Sequence, residues 1–223
     1  MNKCVIFDFD GVIINSRDVQ MKALEESYHS TGGIGEPPYE EFFALSGDSL
    51  SNIFSQLNLP LSMIPIYTKV SRENISMIRM NQGMYEVLYM LNQLGVCCAL
   101  CTGKDRERTL EILKYLNIGS FFCQIVCSDD VKQPKPNEES VVRIIDQLNL
   151  EKKNALLVGD GINDILCARN AGITAVAVSW GDIRGDVLEC YEPDKMVDTW
   201  EELVDCLKDW INNRVICKSI TLK

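Results

Sequence analysis

The chain has 223 residues, of which 46% are hydrophobic, and its formal net charge is −10 at pH 7. This length suffices for one well-buried core and a smaller lobe, and so acidic a chain repels nucleic-acid phosphates. Asp8 and Asp10 interrupt the apolar stretch where a signal peptide would lie, and we see no apolar run near the roughly 20 residues that span a bilayer. We therefore expect a soluble cytoplasmic protein that binds neither nucleic acid nor membrane.

The ten cysteines do not suggest a metal or disulfide framework. Cys98 and Cys101 form a Cys-x-x-Cys pattern inside a predicted strand, where residues three apart point to opposite faces and lie roughly 10 Å apart. A second Cys pair is lacking, and the chain has one histidine, so a zinc site is not predicted. We expect most thiols to be reduced and buried.

The first predicted strand ends in two carboxylates. Val5, Ile6 and Phe7 form an apolar run that leads into Asp8, Asp10 and Gly11. Ionised groups are not tolerated in the middle of a buried strand, so the two carboxylates should lie at its carboxyl end and point the same way. A divalent cation such as Mg²⁺ would neutralise them, although a polar turn explains the same residues.

Residues 16–81 show helical periodicity without a strand pattern. Leu50, Ile53, Phe54 and Leu57 follow the i, i+3, i+4, i+7 spacing of an amphipathic helix, and we expect another helix over residues 61–80. Because this block follows the first strand directly, we predict a helical cap domain over residues 16–81. Residues 1–15 and 82–223 would then form the core domain.

After residue 81, helices and strands alternate, which predicts an α/β, Rossmann-like parallel sheet covered by helices. The predicted helices cover 84–94, 105–116, 137–148 and 163–171, and the strands 96–101, 122–127, 155–159 and 174–178. We also expect a short strand at Met196–Val197 and a terminal helix beginning at Trp200. Residues 214–223 remain unassigned.

Polar residues follow the strand at 96–101. Thr102 and the backbone N–H groups around Gly103 precede a helix, an arrangement that binds anions, although a simple helix cap fits Thr102 equally well. Lys104, Arg106 and Arg108 add positive charge nearby, but a solvated helical face explains them equally well.

Lys135 lies between Pro134 and Pro136, which hold it in an extended segment from which it could reach a phosphate. The alternative is an exposed lysine in a turn.

Two further acidic pairs follow predicted strands, at Asp129 and Asp130 and at Asp160 and Asp164. An Asp-Gly turn with a helix cap explains Asp160 and Asp164 taken alone. Carboxylates after three strands of one sheet edge, however, are better explained by a bound cation.

Four segments together resemble the motifs of the haloacid dehalogenase superfamily. These are Asp8-Phe-Asp10-Gly, Thr102, Lys135 and the Asp160/Asp164 segment, in the family's order. The helical block resembles the cap of the phosphoglycolate phosphatase and β-phosphoglucomutase branch. Gly35–Glu41 and Thr102-Gly-Lys104 are similar to phosphatases associated with 3-amino-5-hydroxybenzoate synthesis. Asn81-Gln82-Gly83 departs from the family, whose members usually place Pro-Gly there.

The resemblance implies a Mg²⁺-dependent phosphatase acting on a small phosphorylated metabolite, as a monomer or weak homodimer. Asp8 would be the nucleophile that forms an aspartyl-phosphate, and Asp10 the general acid and base. The phosphate would be bound by Thr102, Gly103 and Lys135, and Mg²⁺ by Asp8, the backbone carbonyl of Asp10 and Asp160, with Asp164 in support. A phosphomutase of the β-phosphoglucomutase type and a non-catalytic phosphate-binding module are the alternatives.

Overall fold

A computed structural model describes residues 3–213. Residues 214–223, which the sequence leaves unassigned, therefore lie outside the described residues. The strands are β1 (Cys4–Phe7), β2 (Ile14–Asn15), β3 (Arg79–Met80), β4 (Cys97–Cys101), β5 (Phe122–Val126), β6 (Ala155–Gly159), β7 (Thr174–Val178) and β8 (Lys195–Val197). The helices are α1 (Arg17–Ser30), α2 (Tyr39–Ala44), α3 (Leu50–Gln56), α4 (Met63–Glu73), α5 (Met84–Gln93), α6 (Arg106–Tyr115), α7 (Glu139–Gln147), α8 (Ile162–Ala171), α9 (Gly185–Glu189) and α10 (Trp200–Ile211).

Six strands form one parallel sheet in the order β5-β4-β1-β6-β7-β8. β1 lies in the middle, where Phe7 pairs with Leu100 on one side and Val158 on the other. Val5 and Phe7 belong to the core under one face, and Cys4 and Ile6 to the core under the other. Both faces are thus buried, which is why these strands read as continuous apolar runs, and the predicted α/β fold class is confirmed.

The four helices α1–α4, which we call the cap helices, enclose a hydrophobic cluster of their own. Leu24, Phe42, Phe54 and Tyr67 lie at its centre, and α1 packs along α4. The segment that returns to the sheet differs from its prediction. α4 ends at Glu73, and β3 then pairs antiparallel with β2. The expectation of a helix over 61–80 without a strand is wrong at this end, because two-residue strands are too short to show alternation.

The structure places a disulfide between Cys97 and Cys123, whose Cα atoms are 6.2 Å apart. The expectation that the cysteine spacing excludes a disulfide is wrong for this pair, because the partners lie on neighbouring strands and are distant in sequence. The register between β4 and β5 shifts after Cys98, and Cys123 is the extra residue of β5. Cys98 and Cys101 do lie in the cores under opposite faces, and both are free thiols.

Within residues 3–213, none of the helices combines the length and the apolar composition that crossing a bilayer requires.

Candidate active site

The carboxyl ends of three adjacent strands bring the predicted residues together. β1 leads to Asp8, β4 leads to Thr102 and β6 leads to Asp160, and β1 lies between the other two strands. The loop after β5 supplies Lys135, and the first turn of α8 supplies Asp164. All five side chains are buried. The sheet order therefore gathers groups that are up to 156 positions apart in sequence at one edge.

Lys135 forms ion pairs with two carboxylates of this cluster. Its Nζ lies 2.8 Å from Asp8 Oδ1 and 2.5 Å from Asp164 Oδ1, and it donates to the carbonyl oxygen of Cys101 at 3.1 Å. Burial by itself lowers the pKa of Lys135, but the charges of Asp164 and Asp8 raise it well above its usual value. Lys135 is thus a charged group of the site, and the alternative of an exposed turn lysine is wrong.

The cluster around Lys135 contains more carboxylates than cations. Oxygens of Asp8, Asp160 and Asp164 lie within 4.8 Å of one another, and all three residues are buried. Burial raises the pKa of Asp8 to about 7 against the opposing charge of Lys135. Burial, together with the charges of Asp8 and Asp164, raises the pKa of Asp160 well above its usual value. One lysine cannot balance three ionised carboxylates, so the cluster is suited to a cation.

One oxygen of Asp160 supports the same conclusion. Oδ2 accepts a hydrogen bond from the backbone N–H of Asp182 at 2.8 Å, whereas Oδ1 is buried and has no hydrogen-bond partner among residues 3–213. A buried carboxylate oxygen without a partner costs about 1–3 kcal/mol or more, which a bound cation would recover. The hard oxygen ligands of this cluster fit a divalent ion such as Mg²⁺.

Asp10 lies beside this cluster and faces a small cavity. Its Oδ1 accepts hydrogen bonds from the hydroxyl of Ser16 and, at 3.3 Å, from Nε2 of Gln20. Its Oδ2 lies 3.2 Å from Nζ of Lys104. Asp10 is thus held by polar groups of the first cap helix and of the loop after β4, in a position apart from the three buried carboxylates.

The loop after β4 forms one wall of the cavity. Thr102 is buried, and its hydroxyl accepts a hydrogen bond from the backbone N–H of Lys104 at 3.1 Å. The helix cap of α6 is Asp105, which accepts from the backbone N–H of Arg108 at 3.0 Å. The capping alternative thus applies to Asp105, and Thr102 is available to the site.

The acidic pair Asp129 and Asp130 does not join the site, contrary to the pattern inferred from the three strands. Asp130 Oδ1 accepts from Nε of Arg106 at 2.9 Å, and Asp129 accepts from the backbone N–H of the same residue. Of the three cations Lys104, Arg106 and Arg108, it is therefore Arg106 that binds this acidic pair. Lys104 and Arg108 are buried against the cavity.

The cap helices close the cavity from the opposite side. Its volume is about 40 Å³, and the cap contributes Gln20, Phe42, Leu50, Ile53, Tyr67 and the segment Ser46–Asp48, which we call the cap loop. Asn163 on α8 donates to the carbonyl oxygens of Leu45 and Ser46 at 3.4 and 3.1 Å. A space of this size holds roughly three water molecules.

Sequence reasoning missed the residues that enclose the site. The cap loop contains Ser46, Gly47 and Asp48, ordinary turn residues that carry no periodic signal. In the sequence, Asn81 suggests a hinge and departs from the family's pattern; in the structure, its Nδ2 donates to the carbonyl oxygens of Gly11 and Val12 at 2.8 and 2.9 Å. The signal available in the sequence was that Asn81 directly follows the helical block, while the turn at Gly11 directly precedes that block.

Comparisons with known proteins agree with these motifs. A family model described as haloacid dehalogenase-like hydrolase matches residues 5–178. Pyrophosphatase PpaX of Bacillus velezensis is 28% identical over 212 residues, covering 90% of this chain and 94% of that protein. Pyrophosphatase PpaX of Bacillus cereus is 29% identical over 208 residues, covering 92% of this chain and 96% of that protein.

Solved structures share the fold. A hydrolase from Pseudomonas syringae has a TM-score of 0.83 at 19% identity, covering 94% of this chain and 99% of that chain. A structure described as a predicted phosphoglycolate phosphatase, from Haemophilus somnus, has a TM-score of 0.79 at 19% identity, covering 92% and 98%. With the family match over most of the chain and the four motifs at one sheet edge, the chain belongs to the haloacid dehalogenase-like hydrolase family and is a hydrolase.

Proposed function

We propose that this chain is a Mg²⁺-dependent phosphatase that hydrolyses a small phosphate monoester through an aspartyl-phosphate on Asp8. The observation that carries the proposal is the buried cluster in which Lys135 binds Asp8 and Asp164, while one oxygen of Asp160 has no hydrogen-bond partner in the described part of the chain. The relatives named pyrophosphatase make inorganic pyrophosphate one of the first substrates to test.

The reaction would proceed in two displacements. An oxygen of Asp8 attacks phosphorus, the bond between phosphorus and the leaving oxygen breaks, and Asp10 gives that oxygen its proton. A water molecule then attacks the phosphorus of the aspartyl-phosphate and gives a proton to Asp10. The bond between phosphorus and the Asp8 oxygen breaks, which regenerates the Asp8 carboxylate and releases free phosphate. Lys135 would favour the ionised form of Asp8 and hold its carboxylate in place, while Thr102 and the backbone N–H of Gly103 would hold phosphoryl oxygens.

Mg²⁺ would be held by Asp8, Asp160 and the backbone carbonyl of Asp10, with Asp164 in support. When bound, it would neutralise charge on the phosphoryl oxygens. Asp164 is suited to the supporting role because its Oδ2 already accepts from the backbone N–H of Gly161 at 3.0 Å while Oδ1 binds Lys135.

We further propose that residues 16–81 act as a cap domain on a core of residues 1–15 and 82–223. The cap's own hydrophobic cluster and its position over the cavity support this division. The partner would be a small phosphorylated metabolite in the cytoplasm, and the protein would act as a monomer or weak homodimer.

The test is phosphate release from a panel of phosphorylated metabolites, pyrophosphate and p-nitrophenyl phosphate, with Mg²⁺ and with EDTA. We expect Mg²⁺-dependent release that Asp8→Asn lowers by about 10⁴-fold or more, because the nucleophile is lost at nearly constant volume. Asp10→Asn should also disable turnover, and Asp146→Asn, an exposed site on α7, is the matched control.

Near wild-type turnover by Asp8→Asn would contradict the assigned nucleophile. Isomerisation of a sugar phosphate with little phosphate release would identify a phosphomutase instead. Binding of phosphate without turnover on the whole panel would identify a non-catalytic module.

A further inference from the structure

Two buried cations lie next to Asp10 and have no role in the chemistry proposed above. The side chains of Lys104 and Arg108 are only 8% and 7% exposed. Charged lysine and arginine side chains are rarely buried unless they are paired, because losing hydration costs several kcal/mol. Their burial at one wall of the cavity therefore calls for an explanation.

The anions of the protein account for part of this charge. Lys104 pairs with Asp10 at 3.2 Å, which engages one of the three N–H donors of its ammonium group. Arg108 binds Asp105 through Nε, and its guanidinium carbon lies 5.6 Å from the centre of the Tyr67 ring. Asp10 also serves Ser16 and Gln20, so its carboxylate is shared among three donors.

The position of Arg108 links the cavity to the outside. Arg108 lines the small cavity at Asp8 and Asp10, and it also lines a groove of about 340 Å³ between the cap helices and the loop after β5. Leu50 and Gly103 border both spaces. A group attached to a phosphate at Asp8 would therefore share the inner cavity with Lys104 and Arg108, and it would pass Arg108 if it extended toward the groove.

The opposite wall, supplied by the cap, has apolar and polar parts. Phe42, Leu50, Ile53 and Tyr67 are its apolar side chains, and Gln20, Ser46 and Asp48 are its polar ones. The carboxylate of Asp48 already accepts hydrogen bonds from the backbone N–H of Ser49 and from the side chains of Asn52 and Gln56. A leaving group would thus have two cations on its core side, and on its cap side apolar side chains and a carboxylate that is already hydrogen-bonded. This arrangement favours a compact leaving group that carries negative charge over one that is neutral or positively charged.

We infer that Lys104 and Arg108 form an anion subsite that binds an ionised group on the leaving part of the substrate, either a carboxylate or a second phosphate. This inference rests on the proposed phosphatase function and specifies its substrate class. The substrate would be a small phosphate compound with a second anionic group close to the phosphorus that is attacked.

The test on the wild-type protein uses three phosphate monoesters that differ mainly in the charge of the leaving part. Phosphoglycolate carries a carboxylate, 2-hydroxyethyl phosphate is neutral there, and phosphoethanolamine is positively charged. We expect kcat/KM to fall in that order, by about a hundredfold or more from first to last. Inorganic pyrophosphate serves as a fourth substrate, and a kcat/KM above that of phosphoglycolate identifies a second phosphate as the preferred anion.

The variants Lys104→Met and Arg108→Met remove one cation each while keeping an unbranched side chain. We expect each to lower the ratio of kcat/KM for phosphoglycolate to that for 2-hydroxyethyl phosphate by about tenfold or more, mainly through KM. Lys69→Met on α4 is the matched control. Because Lys69 is exposed, the ratio of the two kcat/KM values in this variant should equal that of the wild type. Arg108→Lys should restore part of the ratio.

The two hypotheses fail in different ways. Equal kcat/KM for the three esters would overturn the anion subsite and leave the phosphatase intact. Failure to hydrolyse any of the four substrates or the wider panel would overturn the proposed function itself. The wild-type series remains decisive if either Met variant does not fold.

Discussion

Gly103 lies directly against the backbone of the cap loop at Asp48. A Cβ atom at Gly103 would be 2.3 Å from the carbonyl oxygen of Asp48 and 2.5 Å from that of Gly47. Both contacts are to backbone atoms, which cannot swing aside as a flexible side chain can. The absence of a side chain at Gly103 is therefore what allows the cap loop to close over the site.

Gly103→Ala should hold the cap loop away from the core. We expect kcat/KM to fall by about tenfold to a hundredfold because the closed geometry is displaced by about 1 Å, with little change in overall stability. Steady-state kinetics on the best substrate of the panel measures the effect. Gly119→Ala is the control, since its new Cβ would come no closer than 3.8 Å to its nearest neighbour. Wild-type kinetics for Gly103→Ala would rule out this role for the contact.

Asp160→Asn should remove most of the stabilisation by Mg²⁺. At a Mg²⁺ concentration of about 100 times Kd, the wild type should gain about 2.7 kcal/mol of unfolding free energy, or about 5–10 °C in Tm. We expect the variant to gain little, because it loses the negatively charged carboxylate whose Oδ1 has no hydrogen-bond partner within residues 3–213. Thermal unfolding in Mg²⁺ and in EDTA gives the comparison, with Asp129→Asn as the control outside the cluster.

The same variant has an expected pH dependence without metal. Burial, with the charges of Asp8 and Asp164, raises the pKa of Asp160 on folding, so this carboxyl group destabilises the metal-free protein at pH values above its unfolded pKa of about 3.9. This penalty decreases as the pH falls from the raised pKa toward the unfolded pKa. In EDTA, Asp160→Asn should therefore unfold at a higher Tm than the wild type at pH 8, and the difference should shrink in mild acid. A lower Tm for the variant at pH 8 would contradict the raised pKa.

Asp130→Asn should destabilise the protein at pH 7 by about 1–2 kcal/mol. Burial raises the pKa of Asp130, but hydrogen bonds from Arg106 and from the backbone N–H of Cys127 outweigh it, so the pKa is lowered on folding. Such a group stabilises the fold above its unfolded pKa of about 3.9, and the contribution is lost as the pH falls through the folded pKa. Urea unfolding should show that the difference in unfolding free energy between the wild type and Asp130→Asn is smaller near pH 3 than at pH 7. Asp146→Asn should have nearly the wild-type unfolding free energy at either pH.

Asn81→Ala should destabilise the protein by about 1–3 kcal/mol and lower kcat. The side chain of Asn81 donates to Gly11 and Val12, so its loss frees two carbonyl oxygens in the loop that follows Asp10. Urea unfolding and steady-state kinetics measure the two effects. Asn92→Ala, at an exposed position of α5, is the matched control, and equal behaviour of the two variants would show that the Asn81 contacts carry no weight.

The fold was predictable where burial imposes a simple pattern. β6 and β7 have the predicted bounds because both faces of each strand are covered, which requires uninterrupted apolar runs. The carboxylates and Lys135 were predictable because polar groups at the ends of such runs must gather at one edge. β2 and β3 were not, since a two-residue pairing depends on the tertiary fold and leaves no periodicity in the sequence.

The charges around α6 show the limit of sequence reasoning. The sequence does not distinguish the roles of Lys104, Arg106 and Arg108. In the structure, however, the side chains of Lys104 and Arg108 are buried at the cavity, while Arg106 binds Asp130. The cap helices bury Lys104 and Arg108, and the position of the cap on the core is set by contacts between segments that are distant in sequence. The apolar periodicity of a single helix therefore does not predict which cations the cap will bury.

The central place of β1 also constrains the order in which the molecule can be made. Cys4 pairs with Cys97 and with Ala155, so β1 gains its second neighbour only after the roughly 150 residues that separate it from β6 have been synthesised. The cap helices, whose hydrophobic cluster is formed by side chains within residues 21–70, can assemble long before that. We expect a nascent chain that stops short of β6 to carry a folded helical lobe and an open strand edge, which makes such fragments prone to aggregation and dependent on chaperones.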